Sequence, residues 1–315
     1  MGLIGSLGSA NSTHTHIMVV STVAVTIPDS DAPVDTGACD EFDAALAKVS
    51  SLTMVHDPAI SQELLRKCAL VDADGKELCH ILVTDNKLDG SKKGAYARYA
   101  PPYASFKAVV QLPDGRAVLT VKNDGTADHQ TLRSVNGAMF VGPASQVIDR
   151  GDAATIEYGE AHVCCKESCF IDAAKMDLPP LTLTHSGEGA QNVALVPTTA
   201  QNATYNICRN ARSAFMALTI PVFPVWLICC CVPMPNQHQH LVGAGTDTAP
   251  LGVSVTVKPE LVIATASICG PPKSKGPKKT LHFEDNVPLQ SRKDVIAMIA
   301  CDIGNGAVTN FSGYS

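Results

Sequence analysis

The sequence predicts a mainly β, α+β protein: an antiparallel barrel or sandwich with a helix buried near its C-terminal end. Three observations carry that expectation. The Asp-Gly pairs Asp74-Gly75, Asp114-Gly115 and Asp124-Gly125 sit between apolar runs, and glycine supplies the positive φ that tight hairpins need. Short β-branched runs recur between polar turns, as in an antiparallel β layer. Every residue between Asp294 and Asp302 is apolar, so a helix there has no polar face and must be surrounded.

Taken in order, residues 1–16 are rich in Gly, Ser and His and read as a flexible N-terminal arm. The β-branched run 16–28 reads as a strand closed by Pro28. Phe42, Leu46 and Val49 recur at helical spacing after an acidic loop at 29–41. Asp57 and Pro58 then suit the start of a second helix over 58–69, with Ile60, Leu64 and Cys68 on one face. Residues 17–70 are thus expected to be a strand plus two helices packed on a main domain. That domain, 71–305, opens on hairpins, the clearest being "FKAVVQLPDGRAVLTVKND" at 106–124. Further strands are expected at 138–141, 154–158, 181–185, 193–197, 252–257, 260–267 and 280–283. The buried helix is expected over 291–303, with Ser291 and Asp294 at capping-box spacing and Gly304 as its stop. It is too short to span a bilayer. Residues 306–315 are a tail.

Composition bounds the function. Hydrophobic residues make up 45% of the 315 and charged ones 17%, enough apolar surface for a sizeable core. The net charge of −6 and the 5% aromatic content, with Trp226 the single tryptophan, argue against a nucleic-acid partner. Twelve cysteines are many for a reducing compartment. The N-terminus nevertheless lacks the basic start and compact apolar core of a secretory signal, so the thiols read as mostly reduced and buried.

The stretch 214–235, "AFMALTIPVFPVWLICCCVPMP", lies in a segment without charge from Ser213 to Thr246. Its length suits a bilayer, but Pro221, Pro224, Pro233 and Pro235 each remove an amide donor. Three readings stand: a buried strand pair bent at the prolines, a shallow contact with palmitate on Cys229, Cys230 and Cys231, or a spanning helix. "MGLIGS" fits the myristoylation pattern, with Gly2 as acceptor. Lys273, Lys275, Lys278 and Lys279 crowd a Gly/Pro-rich loop, the second signal that a single acyl chain needs at an anionic leaflet.

His162, Cys164, Cys165 and Cys169 form a loose metal-ligand set, and Cys231, His238 and His240 another. Neither has the paired spacing of a structural zinc motif. No nucleophile elbow, phosphate loop or dinucleotide fingerprint is present, and no cofactor is implied.

The Asp-Gly hairpins, the cysteine clusters and the apolar segment "KDVIAMIACDIG" resemble the phospholipid scramblase and LURP-one-related (tubby-like) group over about 70–305. That resemblance implies a closed barrel around a hydrophobic helix at a membrane face. The chain departs from the group in its N-terminal helices and its late cysteine cluster. The expectation is a non-enzymatic binding or scaffold protein, cytoplasmic and peripheral to an anionic membrane or part of an assembly, with homo-oligomer formation compatible. The rivals are a structural subunit of a large assembly, such as a capsid or filament-associated component, and a thiol- or metal-dependent enzyme.

Overall fold

The computed structural model describes residues 34–56, 66–88, 104–123, 138–140, 145–149, 152–158, 161–163, 180–186, 192–198, 200–205, 207–208, 211, 235–244, 249–258 and 278–309. All of them belong to one compact unit, Pro33–Ser315. Helix α1 (Thr36–Leu46) leads into strands β1 (Ser51–His56), β2 (Arg66–Val71), β3 (Glu77–Leu88), β4 (Ala104–Gln111) and β5 (Ala117–Asn123). After them come β6 (Ala138–Phe140), β7 (Ser145–Asp149), β8 (Asp152–Tyr158), β9 (Ala161–Val163), β10 (Leu181–His185) and β11 (Val193–Pro197). The last elements are β12 (Gln237–Gly243), β13 (Pro250–Lys258), β14 (Lys278–Phe283) and helix α2 (Leu289–Thr309).

Twelve of these strands close into one antiparallel barrel in the order β1-β14-β13-β12-β11-β10-β8-β7-β5-β4-β3-β2. β1 seals it by pairing with both β2 and β14. Closure leaves no unpaired edge to aggregate. Among the described residues, β6 and β9 pair only with each other.

The expected hairpins form. Gly75 has φ 80° and Gly115 φ 93°, which only glycine adopts without strain. In the first turn Asp72 Oδ1 accepts from the amides of Asp74 (3.0 Å) and Lys76 (2.9 Å). In the second, Asp114 accepts from the Arg116 amide and side chain, and Arg116 reaches Glu41 of α1 at 2.5 Å. Asp124-Gly125 lies outside the described residues, as do the expected strands at 16–28 and 260–267.

Alternation sets the two faces of the wall. Leu52, Met54, Ile81, Val83, Leu183, Leu195, Val253, Val255 and Leu281 are buried inside. The outward positions Thr53, Thr155, Thr182, His238, Ser254, Thr256, Thr280 and His282 are partly or fully exposed. A membrane barrel has the reverse arrangement, with its apolar residues facing lipid.

α2 fills the lumen. From Val295 to Cys301 no residue is more than 3% exposed, as the absence of a polar face demanded. Each fully buried Val, Ile or Met stabilises by about 1.5–3 kcal/mol relative to exposure. At its start, Arg292 donates to the carbonyls of Leu46, Val49, Val287 and Glu284. Its guanidinium also lies 4.8 Å from the centre of the Phe283 ring. Two of those carbonyls, of Leu46 and Val49, belong to the last turn of α1 and the residues just after it. One cation therefore fastens the capping helix to the lumenal one.

Several expectations need correction. The boundary at 70–71 cuts through the barrel, because β1 and β2 are wall strands. Residues 66–69, expected in a second helix, lie in β2, where pairing with β1 and β3 overrides the helical spacing of Leu64 and Cys68. β12 was missed because its alternation is inverted: Gln237 and Gln239 are the buried residues. α2 runs from 289 to 309, past Gly304 into the expected tail. Asp294 accepts from Gln290 rather than capping the helix end.

Gly304 is a close approach, not a stop. A Cβ there would lie 2.3 Å from the Phe106 ring. Gly304→Ala is expected to cost about 1–3 kcal/mol in urea unfolding, and pairing it with Phe106→Leu should recover part of the loss. Arg292→Met is expected to cost on the order of 3 kcal/mol. Arg292→Lys should not rescue it in the same assay, since an ammonium lacks the planar fork.

Candidate functional site at the long-connection rim

The ring of antiparallel strands sends alternate connections to opposite rims. At one rim the connections are short: 72–76, 112–116, 150–151, 186–192, 244–249 and 284–288. α1 and the start of α2 lie at this rim. At the other rim begin and end the connections 57–65, 89–103, 124–144, 159–180, 198–236 and 259–277. Connections beyond about 12–15 residues are uncommon in compact domains and are often functional, and five of these six exceed 12 residues. The clusters singled out in the sequence between 162 and 278 belong, in chain order, to these connections or to the strands beside them.

The lumen is also polar there. Gln237, Gln239 and Lys279 face inward and are no more than 5% exposed. Lys279 is ion-paired with Asp302 of α2. Beside them lies a cavity of about 10 Å³ lined by Leu181, Leu195, Gln239, Val255, Met298 and Ile299. It has room for about one water and for no organic substrate. Burial pushes the Lys279 ammonium down to about 8, with the nearby Cys68 and Cys301 acting in the opposite direction. His56 Nδ1 lies 3.1 Å from Cys68 Sγ, the arrangement of a thiol–imidazole pair. Cys68 is 0% exposed, however, so no substrate in bulk solvent reaches its sulfur.

At the short-turn rim, His185 Nε2 sits 3.1 Å from Asp294 Oδ1. Burial raises the Asp294 carboxyl above its usual range, against the Gln290 hydrogen bond and the charge of His185. Cys39, Cys68, Cys79 and Cys301 are buried as thiols, and burial pushes the Cys79 thiol far up. That fits the expected role of cysteine as a small core hydrophobe.

The expected site residues divide. Lys278, the first residue of β14, is exposed. Lys279 is corrected: it is not on a solvated loop facing a membrane but inside the barrel, because strand alternation turns neighbours to opposite faces. Lys258, which the sequence reading missed, stands directly across from Lys278 and is also exposed. Only strand register, which no local spacing reveals, could have found it. His162 lies on β9. Gly2, Cys164, Cys165, Cys169, Cys229, Cys230, Cys231, Lys273 and Lys275 lie outside the described residues. Among the described residues, no three His, Cys, Asp or Glu side chains are grouped to hold a metal ion. Nor is any described helix long and apolar enough to cross a membrane.

No family model, curated protein or solved structure matches this chain. Its functional reading therefore rests on its own residues and geometry.

The buried pair carries a pH dependence. Unfolded, a lysine keeps its proton to 10.5, whereas folded Lys279 releases it near 8. Between those values the unfolded state binds more protons, so Lys279 makes stability rise with pH. The rise is roughly 3 kcal/mol across the window. Lys279→Met/Asp302→Leu should abolish that increment in denaturant titrations repeated at each pH. The same variant should equal or exceed the wild type at pH 7 by up to about 4 kcal/mol.

Proposed function

We propose that this chain is a non-enzymatic binding or scaffold protein that docks its long-connection rim on an anionic membrane surface. One observation carries the reading. Lys258 and Lys278 are exposed and directly opposed across β13 and β14 at that rim. Like charges so placed repel, and an anionic surface relieves the repulsion. Lys273 and Lys275 belong to the connection that joins these two strands. The helix-filled lumen supports the reading from the other side, since it leaves the rim and outer wall as the surfaces that meet a partner. The tubby-like resemblance is part of this proposal, and a barrel around an apolar helix is what supports it. Acylation at Gly2 and at Cys229, Cys230 and Cys231 would add the lipid component, and a cytoplasmic, peripheral location follows from it.

The test is vesicle sedimentation of the full chain at low and high salt. Each lysine near an anionic leaflet contributes about 1 kcal/mol. Neutralising Lys258, Lys273, Lys275 and Lys278 to Gln should therefore weaken binding to phosphatidylserine vesicles at least a hundredfold. Phosphatidylcholine vesicles should bind neither protein. Equal binding by the variant, or a wild type that ignores anionic vesicles and elutes as a large uniform particle, would reject docking. The second result would favour the structural-subunit reading.

A further inference from the structure

We propose that His238 and His240 form a two-imidazole site for a borderline divalent cation such as zinc, on the outer wall of β12. The two residues are i and i+2 on one strand, opposite in facing to the buried Gln237 and Gln239. Their Cα atoms are therefore about 6.6 Å apart and their side chains leave the same face. That spacing is suited to chelation by two rings.

The surroundings prepare the rings for ligation. His238 Nδ1 is 3.2 Å from Thr256 Oγ1 on β13. His240 Nδ1 is 2.6 Å from Thr198 Oγ1, just past the end of β11. When each Nδ1–H donates to its threonine oxygen, the lone pair sits on Nε2, the atom that binds metal. A metal-bound histidine usually has this kind of partner on its other nitrogen, and the partner fixes tautomer and ring orientation. Neither Nε2 has a hydrogen-bond partner among the described residues. The backbone beneath is clamped as well. Asn202 Oδ1 accepts from the His238 amide at 2.7 Å, and Asn202 Nδ2 donates to the His238 carbonyl at 2.8 Å.

The threonine bonds alone could be read as stitching between β11, β12 and β13. A stitching role, however, does not call for two imidazoles on one face whose outer nitrogens have no partner among the described residues. Imidazole suits zinc, copper and nickel, and water fills the positions that protein leaves open. His282 also faces outward but stands two strands away, across Ser254, roughly 9.6 Å off. It serves as an internal control. Cation binding here is independent of membrane docking, so either can fail without the other.

The experiment is a titration of the full chain with zinc ion alone near pH 7.5, followed through two-bond imidazole ¹H–¹⁵N correlations. The Nε2 signals of His238 and His240 should move together to one saturable end point, while His282 stays put. His240→Asn should weaken zinc binding at His238 at least tenfold without changing the melting temperature. Thr198→Val should weaken it between about tenfold and a hundredfold. Zinc uptake that leaves both rings unmoved would place the cation on cysteine sulfur elsewhere and overturn the site. Unchanged affinity at His238 in His240→Asn would overturn it too.

Discussion

The structure depends on the encapsulation of one helix. The segment Val295–Cys301 has no polar side and is buried on every face. It cannot rest on a flat sheet, because half of its surface would stay wet. A sheet must curl around it until the first and last strands meet, and β1 pairing with β14 is that meeting. Closure and burial are thus one event: the helix supplies apolar surface in all directions and the ring supplies walls in all directions. Arg292 secures the entry, tying α2 to the carbonyls that end α1.

Parity follows from closure. Once a strand's inward face is set, successive residues point to opposite sides of the wall except where a bulge shifts the register. Lys278 and Lys279 are neighbours in sequence, yet one is in water and the other is ion-paired to Asp302 in the lumen. Gln237 and Gln239 are inside while His238 and His240 are outside. In the case of the histidines, parity places both rings on one face beside Thr198 and Thr256.

The even-numbered antiparallel ring also separates the connections. Short turns and α1 share one rim, and the long connections start and finish at the other. The filled barrel thus gathers the ends of its long connections at one rim. The cavity beside Lys279 holds about one water.

Much of the fold was legible locally. The apolar run bounded by Asp294 and Asp302 demanded a surrounded helix, and the Asp-Gly pairs at 74–75 and 114–115 demanded hairpins. Both requirements act within a few residues, so sequence alone determined them. It could not show that β1 and β2 join the wall, that Gly304 slips past Phe106 rather than ending the helix, or that Lys279 turns inward. It also could not bring Lys258 beside Lys278, or Thr198 and Thr256 beside the two imidazoles of β12. Those outcomes depend on strand register between segments far apart in the chain. Register is settled only when the whole ring closes around its helix, and so the tertiary structure alone decided them.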